Sequence, residues 1–343
     1  MQSSVIRKMD MPSAPIHLPD ESWVQALQDE LEVFDPTQAT LCDVHLREYY
    51  ALYGFNRLPD DIEYSAGSHW IGDTQLFLQY FKRRFARGTV VLLHGYTDHS
   101  GLYLPLIEHL LSTGWNVFTY DLPGHGVSSG EPLGVISFQS YVRQLQSLLD
   151  HYVQSFQGQV VLAGQSTGAA ILLTLLCQST SKQKAGWRIR GGVLLAPLIR
   201  PTDYYSVRSL YRISHWWLHR VRRRFNETSH DQQFLAFRNE RDPLQHRYMA
   251  MSWIGAMLQW IDEIEHSEPC EDPLLILQGT DDQTVNWRYN IQVLERLCPA
   301  AELQLIRDAR HHLVNESGPY QEKVFAGIDR FLGKLSRQKP VAS

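Results

Sequence analysis

A Gly-x-Ser-x-Gly pattern, which can carry a nucleophilic serine, occurs twice in this sequence. The first copy spans residues 126–130 around Ser128, and the second spans residues 164–168 around Ser166. A serine that attacks a carbonyl group from such a pattern sits on a sharp turn between a buried strand and a helix. The run VVLA precedes the second copy and AAILLTLL follows it, whereas PGHG and EPLG flank Ser128 and match neither element. We therefore predict Ser166 as the nucleophile and exclude Ser128.

An acid and a histidine must complete this chemistry, because a serine hydroxyl needs a base to take its proton during attack. After a serine of this kind, the acid comes first along the chain and the histidine second. The apolar run LLILQG is followed by Asp281 and Asp282, and the run AELQLIRD leads to His311 and His312. Of the fifteen histidines, only this pair combines the required order with a position at a strand end. The residue pattern alone leaves open which member of each pair acts.

Two backbone N–H groups are needed to stabilise the oxyanion that forms on the substrate carbonyl. The residue after the nucleophile, Thr167, supplies one from the start of a helix, and the loop after an early strand supplies the other. The segment LLHGYTDHSG places Tyr96 in that loop. His94 and His125 lie nearby, and we expect both to shape their loops through hydrogen bonds rather than to act as bases.

The scaffold that positions these residues is predicted from alternating strand and helix patterns. The strand runs are TVVLLHG, NVFTYDLPG, QVVLAG, GGVLLAPL, LLILQG and AELQLIRD, and segments with helical periodicity separate most of them. Such alternation predicts an α/β fold, a mostly parallel central sheet with helices on both faces. Residues 62–81 predict a hairpin with a turn at Gly72 and Asp73, and two helical segments precede it. Ligands bind beyond the carboxyl ends of parallel strands, where the candidate residues lie.

Three parts of the chain follow from this pattern. Residues 1–61 form an N-terminal helical extension, residues 62–199 and 269–343 form the core, and residues 200–268 form a helical cap with no strand-like run. Within the cap, residues 206–225 predict an amphipathic helix with apolar side chains on one face and arginines on the other. A basic helix with aromatic residues suits peripheral contact with an anionic membrane. Alternatively, its apolar face packs over the active-site mouth and the arginines are solvated. The two readings are compatible.

Composition limits the binding partners and the cellular compartment that we expect for this chain. The net charge of −5 argues against nucleic-acid binding. The four cysteines form no C-x-x-C pair, and neither a signal-peptide core nor eighteen consecutive apolar residues occur. We expect a cytoplasmic enzyme that needs no metal and no organic cofactor.

Five segments stand out together: HGYTDHSGLY, YDLPGHGVSSG, GQSTGAA, LQGTDDQTV and DARHHLVNE. They resemble the corresponding segments of the monoacylglycerol lipases and related lysophospholipases of the α/β-hydrolase superfamily. The resemblance covers about residues 62 to 335. The first 60 residues have no counterpart in the shortest members of the family, and residues 200–235 do not align with its cap.

The resemblance implies a role for one member of each pair. The family's Gly-x-x-Asp pattern implies Asp282 as the acid, with Asp281 as the fallback. Its x-Leu-x-x-Glu tail implies His311 as the base, and its His-Gly pair supports Tyr96 as an oxyanion donor.

The function that follows is hydrolysis of fatty-acyl esters, with a monoacylglycerol or a lysophospholipid as the small-molecule substrate. A short-chain carboxylesterase, a thioesterase and a peptidase remain alternatives on the same triad, and a non-catalytic binding protein is a further one.

Overall fold

A computed structural model describes residues 21–40, 43–223 and 226–337 of the chain. Its strands are β1 (Glu63–Ile71), β2 (Thr74–Lys82), β3 (Gly88–Leu93), β4 (Asn116–Tyr120), β5 (Gln159–Gln165), β6 (Ile189–Leu195), β7 (Arg220–Arg222), β8 (Tyr248–Ala250), β9 (Leu274–Gly279) and β10 (Glu302–Ile306). Its α-helices are α1 (Glu21–Glu30), α2 (Val44–Tyr53), α3 (Leu104–Ser112), α4 (Phe138–Tyr152), α5 (Thr167–Gln178), α6 (Ser181–Gly186), α7 (Tyr204–Ser214), α8 (Gln232–Ala236), α9 (Met251–Ile264), α10 (Trp287–Leu297) and α11 (Gly318–Arg337).

The central sheet has eight strands in the order β1-β2-β4-β3-β5-β6-β9-β10. The six strands from β4 to β10 in this order pair in parallel, while β1 and β2 form an antiparallel hairpin that joins the sheet at β4. The predicted α/β fold with a mostly parallel sheet is confirmed, as is the hairpin with its turn at Gly72 and Asp73.

The strand runs are apolar throughout because both faces of the sheet are covered. In β3, Val91 and Leu93 pack into one hydrophobic cluster with residues of α4 and α5. Val90 and Leu92 point to the opposite face and pack with residues of α3 and α11. This arrangement is typical of parallel sheets and leaves the carboxyl ends of the strands as the accessible edge.

The two N-terminal helices pack directly on the core. Leu27 of α1 and Tyr49 of α2 are fully buried in the cluster that contains α3 and α11. Between the helices, the backbone of residues 32–34 hydrogen-bonds to Ser68 of β1. The described part of the predicted N-terminal extension therefore packs as part of the core and not as a separate unit.

The insertion between β6 and β9 differs from the sequence prediction in two respects. The helix predicted over residues 206–225 ends at Ser214, and β7 follows it within the predicted helical range. β7 pairs antiparallel with β8, so the insertion is not purely helical. β7 forms because it pairs with β8, which lies some 30 residues further along the chain. Such non-local pairing overrides the local helical periodicity and cannot be recognised from a sequence pattern. Phe225, at the end of the predicted helix, lies outside the described residues.

Within the three described ranges, no helix is both long enough and apolar enough to cross a membrane.

Candidate active site

Ser166 occupies the turn between β5 and α5, where the chain adopts φ +53° and ψ −112°. A positive φ is strained for a residue with a Cβ atom, and such strain concentrates at functional sites. The glycines on either side permit the close packing of this turn. A Cβ on Gly164 would lie 2.6 Å from the backbone of Gly168, and a Cβ on Gly168 would lie 2.5 Å from the carbonyl oxygen of Leu93. The predicted strand–turn–helix context of Ser166 is present.

His311 lies after β10, and its Nδ1 donates a hydrogen bond to Oδ2 of Asp282 over 2.7 Å. Asp282 follows β9, so parallel pairing of β9 with β10 brings the two residues to one edge of the sheet. This bond leaves Nε2 of His311 as the ring nitrogen available to Ser166, which lines the same cavity. No hydrogen bond joins these two described side chains in this conformation.

The environment of Asp282 favours a charged carboxylate. Burial alone would raise its pKa, but the charge of His311 and the hydrogen bonds from His311, Gln278 and Thr284 outweigh burial, so the pKa of Asp282 lies below its ordinary value. Asp281 is placed differently, because its side chain is 44% exposed and its carboxylate lies 3.5 Å from Nε of Arg310. Of the two candidate acids, the structure brings Asp282 to His311.

His312 belongs to a separate buried pair. Its Nε2 donates to Oδ2 of Asp98 over 3.0 Å, and its Nδ1 accepts from Nδ2 of Asn315 over 3.3 Å. Both ring nitrogens are therefore engaged. Burial alone would raise the pKa of Asp98, but the charge of His312 and its hydrogen bond outweigh burial, so the pKa of Asp98 lies well below its ordinary value. The adjacent histidines thus have different geometry, and His311 has the nitrogen that a base needs.

The two predicted oxyanion donors, Tyr96 and Thr167, line the same cavity as Ser166. Neither the N–H of Tyr96 nor that of Thr167 donates a hydrogen bond to another described residue, and both residues line the cavity. His94 fixes the loop that carries Tyr96, because its Nδ1 donates to the carbonyl of Gly95 over 2.8 Å and its Nε2 accepts from the N–H of Leu122 over 2.9 Å. His94 therefore shapes its loop, as predicted.

Ser128 and His125 lie outside the cavity lining. The Ser128 hydroxyl donates to the carbonyl of Asp121 over 2.6 Å and accepts from the N–H of Phe77 over 2.9 Å. These bonds tie β2 to the loop after β4. His125 is buried, and its Nδ1 donates to the carbonyl of Pro123 over 2.8 Å. The first Gly-x-Ser-x-Gly pattern, around Ser128, therefore stabilises a turn of the fold.

A cavity of about 500 Å³ opens over Ser166 and His311. One part of its lining is apolar and comes largely from α7, α9 and the ends of β6 and β7: Leu198, Val207, Leu210, Val221, Met249, Trp253, Ile254, Met257 and Val285. The polar part of the lining includes the last residue of β7, the residue after it and several from other segments: Asp98, Arg222, Arg223, Asn226, Thr228, Arg238 and His312. Pockets of this volume with a mainly apolar wall and a few polar groups suit small organic ligands. Sequence reasoning missed the polar part, although Arg238 directly precedes the segment Asn239-Glu240-Arg241-Asp242-Pro243, which resembles a family segment near the end of the cap.

A buried polar group joins the insertion to the rest of the molecule. Asp242 accepts hydrogen bonds from Tyr53 Oη (2.6 Å), His99 Nε2 (2.9 Å) and Gln245 Nε2 (3.0 Å). Burial opposes both charges of the Asp242–His99 pair, but their attraction dominates, so the pKa of His99 is raised and the pKa of Asp242 is lowered. These contacts connect the insertion with α2 and with the loop that carries Tyr96.

The described residues contain no group of three or more His, Cys, Asp or Glu side chains arranged to hold a metal ion.

Comparison with known proteins points to one family. The family model described as serine aminopeptidase S33 matches residues 85–318. A monoglyceride lipase of Saccharomyces cerevisiae is 26% identical over 72% of this chain and 85% of its own length. A phospholipase of Bacillus subtilis is 26% identical over 71% of this chain and 93% of its own. The crystal structure of a soluble variant of the yeast lipase, in complex with a substrate analogue, superposes with a TM-score of 0.67 at 20% identity, covering 79% of this chain and 95% of that one. This structural likeness confirms the α/β-hydrolase fold.

Proposed function

Because the chain belongs to the hydrolase family described as serine aminopeptidase S33 and is a carboxylic ester hydrolase, we propose that it cleaves fatty-acyl monoesters through an acyl-enzyme on Ser166. The substrate class is a monoacylglycerol or a lysophospholipid. The observation that carries this proposal is the continuous apolar wall, supplied in large part by α7 and α9, beside the serine. Burial of each CH₂ group of an acyl chain against such a wall contributes about 0.8 kcal/mol.

The proposed mechanism uses the groups that converge on this cavity. Ser166 Oγ attacks the ester carbonyl while His311 Nε2 takes its proton, and the N–H groups of Tyr96 and Thr167 stabilise the oxyanion. The imidazolium then gives that proton to the leaving alcohol. Water attacks the acyl-enzyme by the same route and releases the fatty acid. Throughout, Asp282 remains ionised and holds His311 in the tautomer with the proton on Nδ1.

Hydrolysis of p-nitrophenyl esters from acetyl to palmitoyl tests this function. We expect kcat/KM to peak at medium or long chains, and Ser166→Ala to lower kcat by about 10³-fold or more while the protein stays folded. Ser128→Ala is the matched control, because it removes a hydroxyl from the same sequence pattern outside the cavity. It should lose about 1–3 kcal/mol of stability from its broken buried hydrogen bonds and keep its turnover per folded molecule.

Other outcomes would replace the proposal. A maximum at the acetyl ester would indicate a short-chain carboxylesterase. Hydrolysis of thioesters or peptides without hydrolysis of any ester would indicate a thioesterase or a peptidase on the same triad.

We also propose that residues 200–268 act as a lid over the serine and contact a membrane peripherally. Support comes from large apolar side chains that are exposed on α7 and the turn after it: Tyr205, Leu210, Ile213, Trp216 and Trp217. Arg212 and Arg220 are exposed in the same region. Apolar side chains beside basic ones suit an anionic lipid surface.

Sedimentation with vesicles that contain anionic lipid tests this contact. We expect the double variant Trp216→Ser, Trp217→Ser to lose most of its bound fraction. Phe85→Ser is the control, since Phe85 is 83% exposed in the turn between β2 and β3, away from the insertion. Equal binding of both variants and the wild type would remove the membrane role and leave the lid role intact.

A further inference from the structure

Arg238 is a buried cation in the wall of the cavity that holds Ser166. Its side chain is almost fully buried at 2% exposure. It donates from Nη1 to Thr228 Oγ1 over 2.6 Å, from Nη2 to the carbonyl of Asn226 over 3.2 Å and from Nε to Asn239 Oδ1 over 3.1 Å. All three acceptors are uncharged, and a guanidinium has five N–H donors, so two remain for a ligand. A buried charge held only by neutral groups is costly unless a counter-ion joins it.

Arg223 contributes a second guanidinium to the same wall. It follows β7 directly, and its Nη1 donates to Gln245 Oε1 over 2.6 Å. Burial, followed by the positive charge of Arg238, lowers the pKa of Arg223 to about 10. Burial also lowers the pKa of Arg238. The two guanidinium groups are therefore both largely buried and close enough for their positive charges to repel each other.

The acids nearest to this pair already have other partners. Asp98 is bonded to His312 and Tyr103. Asp242 is bonded to His99, Tyr53 and Gln245. The negative charges of Asp98 and Asp242 still offset part of the repulsion between the two arginines, because both acids raise the pKa of Arg223.

We propose that Arg223 and Arg238 bind the phosphate of the substrate's head group, so that the preferred ester is a lysophospholipid rather than a neutral monoacylglycerol. The inference rests on the proposed function and deepens it. Phosphate oxygens match the planar fork of a guanidinium, and two guanidiniums suit a group with several charged oxygens. The apolar wall takes the acyl chain, and the polar wall takes the phosphate that lies a few bonds from the scissile ester.

The test compares kcat/KM for 1-oleoyl-lysophosphatidylglycerol with kcat/KM for 1-oleoylglycerol. The wild type should favour the phosphate-bearing ester. Arg223→Gln should lower this preference ratio by about 10- to 100-fold, because it removes charge-assisted hydrogen bonds to phosphate. Arg223→Lys, which keeps the charge and loses the fork, should lower it by a smaller factor. Arg84→Gln is the control, since Arg84 is exposed in the turn between β2 and β3, outside the insertion and outside the cavity lining, and it should keep the wild-type ratio.

The outcomes separate this inference from the proposed function. An unchanged ratio in Arg223→Gln and Arg238→Gln, with hydrolysis still dependent on Ser166, overturns the phosphate site alone. Loss of dependence on Ser166 overturns the proposed function itself. If inorganic phosphate competes with 1-oleoylglycerol in the wild type but not in Arg223→Gln, and the ratio does not respond to either substitution, the arginines bind free phosphate and the head-group assignment is wrong. Should Arg238→Gln fail to fold, the less buried Arg223 decides the matter.

Discussion

Replacement of Asp282 by asparagine gives a sharp test of the acid, because each oxygen of its carboxylate has defined partners. Oδ2 accepts from His311 Nδ1 over 2.7 Å and from Gln278 Nε2 over 3.0 Å. Oδ1 accepts from the backbone N–H groups of Thr284 and Val285 over 2.8 and 3.1 Å. All four partners are N–H donors, and asparagine replaces one acceptor oxygen with a donor.

The backbone donors decide how the asparagine orients. A backbone N–H cannot become an acceptor, so the remaining oxygen stays on Thr284 and Val285, and the new NH₂ group faces Gln278 and His311. The Gln278 amide can present its oxygen to the new NH₂ group only by giving up the bond from its Nε2 to the carbonyl of Gly279 (2.9 Å), which adds a stability cost to the variant. His311 must then accept at Nδ1 and carry its proton on Nε2, which is the nitrogen that has to receive the proton of Ser166.

This tautomer change lowers kcat by about 10⁴-fold, which corresponds to about 5 kcal/mol of transition-state stabilisation. The opposite orientation would leave two buried N–H groups unsatisfied, at about 1–3 kcal/mol each, and would appear as a large loss of stability in a urea titration. Ester hydrolysis and urea unfolding measured on one preparation therefore distinguish the two orientations.

Asp281→Asn is the matched control on the neighbouring residue. Its carboxylate is partly exposed and contacts Arg310 at 3.5 Å, an interaction worth about 0–1 kcal/mol. We expect less than a tenfold loss of kcat/KM. The reasoning is refuted if Asp281→Asn causes the larger loss, or if Asp282→Asn keeps more than a tenth of wild-type activity.

Three further predictions follow from other parts of the site. Gly168→Ala should lower the free energy of unfolding by about 1–3 kcal/mol or more in a urea titration, since its Cβ meets backbone at 2.5 Å, whereas Gly333→Ala, with open space around it, should not destabilise the protein. His312→Ala should retain at least tenfold more kcat than His311→Ala in an ester assay, and equal losses would contradict the separate pairing of the two rings. The charge of His99 stabilises the fold fully at pH values below the ordinary pKa of histidine, and this stabilisation is lost as pH rises through the raised pKa of His99. The charge of Asp242 stabilises the fold fully at pH values above the ordinary pKa of aspartate, and this stabilisation is lost as pH falls through the lowered pKa of Asp242. Unfolding free energies measured across pH 3 to 9 should therefore vary less in Asp242→Asn than in the wild type at both ends of the range.

The scaffold could be predicted because its sequence signals are local. A strand covered on both faces must be apolar at every position, and this makes β3, β5 and β9 visible as short continuous runs. Ser166 could be distinguished from Ser128 for the same reason, since only one of the two patterns has a strand before it and a helix after it. Proximity of Asp282 to His311 then follows from parallel pairing of consecutive strands.

The cavity wall could not be predicted because its contacts are not local. Asp98 and His312 are 214 positions apart, and no periodicity links them. The helix predicted over residues 206–225 failed where a strand pairing took over. The family-like segment after Arg238 does not separate this residue from a surface arginine, and only the folded insertion shows that it is buried in the cavity wall. Much of the cavity wall therefore comes from the part of the chain that is hardest to interpret from sequence.

The segment that follows β10 contacts both the scaffold and the cavity wall. His311 pairs with the acid at the end of β9, and His312 pairs with Asp98 in the loop that carries Tyr96. Glu316 accepts from the N–H of Arg310 over 2.7 Å and from His230 of the insertion over 3.0 Å, so the same turn is also tied to the cap. Supporting contacts of this kind hold reactive groups in position. The turn after β10 is therefore held at once by Asp282 at the end of β9, by the loop that carries Tyr96 and by the insertion.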